Sequence, residues 1–292
     1  MNYLIFRTDR IGDFLISAIL VKSLIKNHPN AKITVIASEK NFSYIKDFKY
    51  IDEVFLLKNN FFDKIKLIFK LKKKKFDKII IHDDKKRSKF ITFFLKAESK
   101  IFVKKNNQYS HIKIIKDILK KTECDFHKDS LNILDDKFPK TFNSEKHIHF
   151  HFDEKWIHDD YIKKFINIEP TKNQLIGFIN SIVEKSNRNL IITTGLKSPK
   201  LLNEVLSKLT NSKIIYKNNL NFIDLEQVVA KSDLLISCHG AISHVAAARN
   251  IKQIDIIDKT YDYSRWTEHF RNYNFIYRDK FNKISDQILR IL

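Results

Sequence analysis

The sequence predicts an α/β protein built on parallel sheets, and three observations carry that prediction. Short apolar runs alternate with helical segments in two successive blocks, which is the pattern of βαβ units. The 292 residues are enough for two domains of about 150, each able to bury a core. Glycine is scarce, four in all. Gly12, Gly195 and Gly240 each follow an expected strand and precede an expected helix, where a backbone turns sharply or approaches a ligand closely.

The first unit is the most legible. Tyr3 to Phe6 is an apolar run, and Phe14, Ile16, Ile19, Leu20 and Leu24 recur at helical spacing until His28-Pro29 stops the helix. Strands are expected next at Lys32–Ser38 and Ile51–Leu57, with a short helix around Phe42–Asp47 between them. A basic amphipathic helix follows at Phe61–Lys75, then a strand at Lys78–His82, a helix at Lys85–Leu95, a strand at Lys100–Val103 and a helix at Ser110–Lys121. The rhythm fails over 122–146, where Asp129, Asp135-Asp136, Pro139 and Asn143 break any long element. The domains are therefore expected at 1–140 and 141–292, with the last helix able to pack back on the first.

The second block reads as a strand at His147–Phe152, helices at Trp156–Ile168 and Lys172–Lys185, and a strand at Asn189–Thr194. It continues with a helix at Pro199–Leu209, a strand at Lys213–Lys217 and a helix at Leu225–Lys231. A strand at Asp233–Cys238, a helix at Ile242–Asn250, a strand at Lys252–Asp258 and a terminal helix at Asn282–Leu292 complete it.

Composition excludes several classes. No apolar run approaches the roughly 20 residues of a membrane span, and Met1-Asn2 leads straight into a strand, so a cytoplasmic protein is expected. Cys124 and Cys238 lie far apart without metal-ligand spacing, which argues against a disulfide framework or a zinc site. The formal charge is +20. Residues 1–146 carry 33 Lys+Arg against 18 Asp+Glu (net +15) and residues 147–292 carry 21 against 16 (net +5). The N-terminal half is thus expected to face something anionic. The excess is mostly Lys and no helix-turn-helix, RRM or zinc signature accompanies it, so nucleic acid is not the expected partner.

Two stretches carry chemistry. Arg7-Thr8-Asp9-Arg10-Ile11-Gly12-Asp13 sets charged groups at a strand's carboxyl end just before a helix, where open α/β sheets bind ligands. Asp13 there is either a catalytic carboxylate or a first-turn cap. Leu234 to Asn250 is an apolar strand, a turn of small residues and an Ala-rich helix with His244 in its first turn. That turn is either an ordinary tight connection or an anion site suited to a diphosphate. Thr193-Thr194-Gly195 either lines the same site or is a plain turn. His147, His149 and His151 share one strand face, but no Cys or carboxylate cluster beside them argues for a metal. Of two His-Asp-Asp runs, His82-Asp83-Asp84 is expected in a strand-end loop within reach of an acceptor, and His158-Asp159-Asp160 on a solvated helix face.

Together these stretches resemble glycosyltransferase family 9, the ADP-heptose:lipopolysaccharide heptosyltransferases and their relatives. Arg7, Asp9, Ile11, Gly12 and Asp13 meet the family pattern R-x-D-x-I-G-D ahead of a long helix. Lys155-Trp156 meets the Lys-Trp feature after the first strand of the second domain. His239, Gly240 and Ala241 stand where the family has Asp, Ser/Thr and Gly, aligned on His244. The resemblance implies a GT-B fold of two Rossmann-like domains facing a central cleft, with the acceptor on the first and the nucleotide-sugar on the second. It implies inverting transfer to a lipopolysaccharide or other cell-envelope glycan, with no metal and no cofactor beyond the nucleotide-sugar. Asp13 would be the general base, with Arg7, Asp9, Arg10 and Gly12 on the acceptor side. Lys155 and the turn of His239, Gly240 and Ala241 with His244 would be on the donor side; Thr193, Thr194 and Gly195 are placed there only by their position at a strand end.

The charge split and the Phe61–Lys75 helix bear on location. Phe61, Phe62, Ile65, Ile68 and Phe69 form one apolar stripe flanked by Lys64, Lys66, Lys70 and Lys72 to Lys75. The stripe either packs on the sheet, which needs helices for cover, or lies in the interface of an anionic membrane at the cytoplasmic face.

Overall fold

The computed structural model describes residues 1–103, 108–134, 146–158 and 162–292. The opening unit folds as read: β1 (Asn2–Phe6) enters α1 (Ile11–Asn27). The Asp13 carboxylate accepts the Arg10 backbone N–H at 3.2 Å, closing the first turn of α1. There follow β2 (Lys32–Ala37), α2 (Phe42–Lys46), β3 (Glu53–Leu56), α3 (Phe61–Lys72), β4 (Lys78–Ile81), α4 (Lys86–Phe93), β5 (Ser99–Phe102) and α5 (His111–Lys121). Asn60 and Ser110 cap α3 and α5 through their side-chain oxygens, each such cap contributing about 1 kcal/mol.

The second series runs β6 (His147–His151), α6 (Lys172–Ser186), β7 (Asn189–Thr193), α7 (Lys200–Leu206), β8 (Ile214–Lys217), α8 (Phe222–Ala230), β9 (Ser232–Cys238), α9 (Ala241–Ala248) and β10 (Lys252–Ile257). A one-turn α10 (Ser264–Thr267), β11 (Tyr273–Tyr277) and α11 (Phe281–Ile291) end the chain.

Contacts divide the chain into Met1–Ile133 with Ser264–His269, and Leu134–Tyr263 with Phe270–Leu292. The boundary expected at 140/141 falls on 135–145, outside the described residues. The first unit holds a five-stranded sheet in the order β3-β2-β1-β4-β5, the second a six-stranded sheet in the order β11-β10-β9-β6-β7-β8. Every pairing in both is parallel. Both orders reverse direction once, between β1 and β4 and between β6 and β9, so each unit is doubly wound with one topological switch point. The inner strands β1, β2, β4, β7, β9 and β10 are buried on both faces, and their near-continuous apolar content follows from that.

Three expectations need correction. The last helix packs on α6 within the second unit, through Phe281, Ile284 and Ile288 in that unit's core; the late segment grouped with the first unit is Ser264–His269. The helix expected over Trp156–Ile168 falls partly on 159–161, outside the described residues, and the residues flanking that gap form turns. Asp159-Asp160 lie in the same gap. The sixth strand of the second sheet, β11, was not expected, because an edge strand with Asn274, Phe275 and Tyr277 exposed lacks a continuous apolar run. Among the described residues no helix is long and apolar enough to cross a membrane.

Candidate functional site

The switch point of the first unit lies at the carboxyl ends of β1 and β4, and the residues there form one network around Arg7. Its side chain is 2% exposed. Arg7 Nε donates to the Asp13 carbonyl and Nη1 to the His82 carbonyl, both at 2.9 Å. Its guanidinium also sits 3.4 Å from the Asp13 carboxylate and 3.5 Å from that of Asp9. Asp9 is further paired to Lys85 at 3.1 Å. A single buried cation thus fixes two carboxylates that remain partly open to solvent. Arg10 is exposed and takes part through its backbone, and Gly12 is buried in the first turn of α1.

His82-Asp83-Asp84 does not offer itself to an acceptor. Asp83 is fully buried and accepts from Thr8 N and Oγ1, Ser88 Oγ and Lys85 N, which consumes its lone pairs in tying β4 to β1. Asp84 sits in the left-handed region at φ 51° and pairs with Lys89. His82 is buried, with Nδ1 at 2.9 Å from Ser17 Oγ and Nε2 without a hydrogen-bond partner among the described residues. Burial first, and the Arg7 charge second, hold its pKa well below the usual histidine value.

In the second unit the switch point lies between β6 and β9, and the charges are reversed. Asp153, buried just past β6, is ion-paired with the Lys155 ammonium and also accepts the Lys155 backbone N–H. Burial alone would raise the Asp153 pKa, but Lys155 and His151 together bring it below the ordinary carboxylate value. Burial likewise works against the Lys155 charge, and Asp153 outweighs it, so the ammonium is held above its usual pKa. Arg278, from the end of β11, donates to the Lys155 and Ile166 carbonyls and pins the turn that carries the lysine.

Lys155 reaches the start of α9. A Cβ built on Gly240 would stand 3.0 Å from Lys155 Nζ, so the absent side chain is what lets the ammonium approach this turn. His239 faces the same turn, with Nδ1 2.6 Å from the fully buried Asp255 carboxylate on β10. Ser243 Oγ, at 2.9 Å, and Tyr273 Oη, at 3.3 Å, also donate to Asp255, while Gly240 N–H donates to Ser243 Oγ. Tyr263 packs edge-on against His239 with ring centroids 4.8 Å apart, and His244 does so at 5.5 Å. His244 is therefore a buried wall of the turn and not a solvated residue.

Structure thus brings Lys155, His239, Gly240, Ala241 and His244 together. Thr193 goes elsewhere: its Oγ1 lies 2.6 Å from His149 Nε2 and 2.8 Å from His151 Nδ1, inside the sheet. Burial lowers the pKa of His149 well below normal and that of His151 to about 4. Thr194 turns back on the Gly195 carbonyl, and Gly195 lies against the Glu154 carboxylate, which a Cβ would meet at 2.9 Å. Among the described residues no group of three or more His, Cys, Asp or Glu is arranged to hold a metal. Sequence reasoning missed Asp153, Asp255 and Arg278. Asp255 carried a readable signal, a lone carboxylate in the apolar strand Lys252–Ile257.

The fold defines a class: two doubly wound α/β units of the kind that make up GT-B glycosyltransferases. No protein-family profile and no curated protein matches the sequence, but solved structures match the fold over the whole chain. Escherichia coli heptosyltransferase WaaC with ADP-2-deoxy-2-fluoro heptose is 13% identical, with both chains fully covered and a TM-score of 0.75. A family 9 glycosyltransferase from Veillonella parvula is 10% identical, covering 99% of this chain and 90% of that one at a TM-score of 0.74. The UDP-GlcNAc 2-epimerase of Methanocaldococcus jannaschii, 12% identical, covers 100% and 92% at 0.61. The resemblance to family 9 seen in the motifs is therefore borne out in the fold, and the same fold also serves an epimerase.

Proposed function

We propose that this chain is a family 9-type glycosyltransferase, transferring heptose or a related sugar with inversion from a nucleotide-sugar to a lipopolysaccharide or other cell-envelope glycan. The observation that carries the reading is the pair of switch-point sites, one presenting carboxylates and the other the Lys155 ammonium. Asp13, held by Arg7 with its carboxylate partly solvent-exposed, takes the proton of the acceptor hydroxyl. The oxygen attacks the anomeric carbon, and the sugar–phosphate bond breaks with its electron pair going to the diphosphate. Lys155 and the N–H groups opening α9 meet that charge. Arg7, Asp9, Arg10 and Gly12 belong to the acceptor side. No metal or further cofactor takes part, and the reaction is placed in the cytoplasm, where nucleotide-sugars are made.

His239 favours a second reading, an altered-donor relative: the family's Asp position holds a histidine, and the carboxylate comes instead from Asp255 beneath it.

A screen of purified protein for hydrolysis and transfer across nucleotide-sugars tests the proposal, with Asp13→Asn as its control. The variant keeps the cap geometry and should lose turnover by about 10²-fold or more with donor binding unchanged in calorimetry. Intact turnover would remove Asp13 as the base, and failure to bind any nucleotide-sugar would remove the transferase reading.

A further inference from the structure

The Phe61–Lys72 helix buries only part of the stripe that its sequence suggests, Ile68 fully and Ile65 in part. Leu67, Ile68 and Leu71 face the sheet, where they pack with Ile91 and Leu95 of the α4 region against Leu4, Phe6, Ile79 and Ile81. Three phenylalanines are left outside: Phe61 is 61% exposed, Phe62 78% and Phe69 63%. The neighbouring α4 repeats the feature, with Phe93 79% exposed at its end and Phe94, 38% exposed, beside it. Lys72 Nζ lies 5.9 Å from the centroid of the Phe94 ring and joins the two helices into one surface. Exposed rings touch mainly each other, Phe61 on Phe62 at 6.2 Å and Phe93 on Phe94 at 5.3 Å.

Soluble surfaces scatter single apolar residues, but clusters of large rings mark a contact. Charge narrows the choice of partner. Residues 61–75 carry seven lysines against one aspartate, and Lys66, Lys70 and Lys73 are exposed beside the rings. Protruding phenylalanines bordered by lysines match a layered partner, anionic on its surface and apolar a few ångströms below, which is the chemistry of a lipid bilayer. We propose that α3 and α4 of the first unit form a docking face for an anionic membrane, with Phe62, Phe69 and Phe93 entering the acyl boundary and the lysines meeting the headgroups. This face lies outside the site described above and does not depend on the transferase reading.

Sedimentation with vesicles tests it without any measurement of turnover. The protein should pellet with phosphatidylcholine vesicles containing phosphatidylglycerol and not with phosphatidylcholine alone, and binding should weaken as salt shortens the Debye length to about 10 Å near 0.1 M. The triple variant Phe62→Ser, Phe69→Ser, Phe93→Ser changes only exposed positions and should bind about tenfold or more weakly with an unchanged circular dichroism spectrum. Lys66→Gln, Lys70→Gln, Lys73→Gln should remove the preference for anionic lipid. Phe62→Trp should shift its emission to the blue on anionic vesicles only. Absence of anionic-vesicle binding, equal binding to neutral vesicles, or full binding by the phenylalanine triple variant would overturn the proposal. So would a dimer in size exclusion that the same variant converts to monomer, which would assign the face to a second copy of the chain.

Discussion

The two units share a topology and place their charged residues at the same point of it, yet they do so with opposite signs. In the first, a buried cation, Arg7, holds the partly exposed carboxylates of Asp9 and Asp13. In the second, the buried carboxylates of Asp153 and Asp255 hold the largely buried side chains of Lys155 and His239. Each arrangement keeps the desolvated charge paired and leaves the useful charge at the strand ends, where the switch point opens the sheet. The lesson is that a doubly wound sheet specifies where a site lies, while the sign of the anchor beneath it specifies what the site can attract.

Removing the anchors probes that symmetry with the largest expected effect. Arg7→Met strands Asp9, Asp13 and the His82 carbonyl, and should cost about 3–5 kcal/mol in denaturant unfolding. Asp153→Asn should cost less, about 2 kcal/mol, because Lys155 can swing to water once released. Equal losses would mean that the lysine is as deeply committed as the arginine. A loss below about 1 kcal/mol in Arg7→Met would break the comparison, since the carboxylates would then need no anchor.

Acid acts on buried histidines in both units. His149 and His151 lie in the second sheet with pKa values depressed by burial, that of His151 to about 4. The unfolded chain binds protons near pH 6.5 and the folded one does not, so stability is fully present above about pH 6.5 and is lost as pH falls toward 4, on the order of 3 kcal/mol for His151. Thermal unfolding at pH 7 and pH 5 should show the drop, and His151→Gln should flatten it. His82 acts in the same direction in the first unit. If His151→Gln leaves the pH dependence whole, His151 is not the titrating group, and His149→Gln and His82→Gln then assign the loss to one unit or the other.

Gly240→Ala sharpens the account of the cationic site. The added Cβ meets the flexible tip of Lys155 at 3.0 Å, and the backbone at φ −178° accepts any residue. Stability should change by less than about 0.5 kcal/mol, while nucleotide-sugar affinity, read by calorimetry, should fall about tenfold. Undiminished affinity would detach Lys155 from the donor. The smallest effect is expected away from both sites: Gly177, exposed inside α6 with open space where its Cβ would be, should stabilise the chain by about 0.5–1 kcal/mol as Ala.

The alternation of apolar runs and helices, the strand-turn-helix around Gly12 and the capping carboxylate of Asp13 were all legible in the sequence, because each depends on residues within a few positions of one another. The same holds for the turn at Gly240, whereas Lys155-Trp156 stood out only through its resemblance to a family feature. Tertiary structure alone decided the partners. Asp255 meets His239 because β10 lies beside β9 in parallel register, and Thr193 serves His149 and His151 because β7 lies beside β6. It also decided which face of α3 is buried: Leu71 displaced Phe69 from the core, and five apolar positions within two turns could not reveal which would meet the sheet. Periodicity along a chain reports that a residue will be buried or turned; which atoms it meets depends on strand order and register, and those are fixed only when distant segments pack.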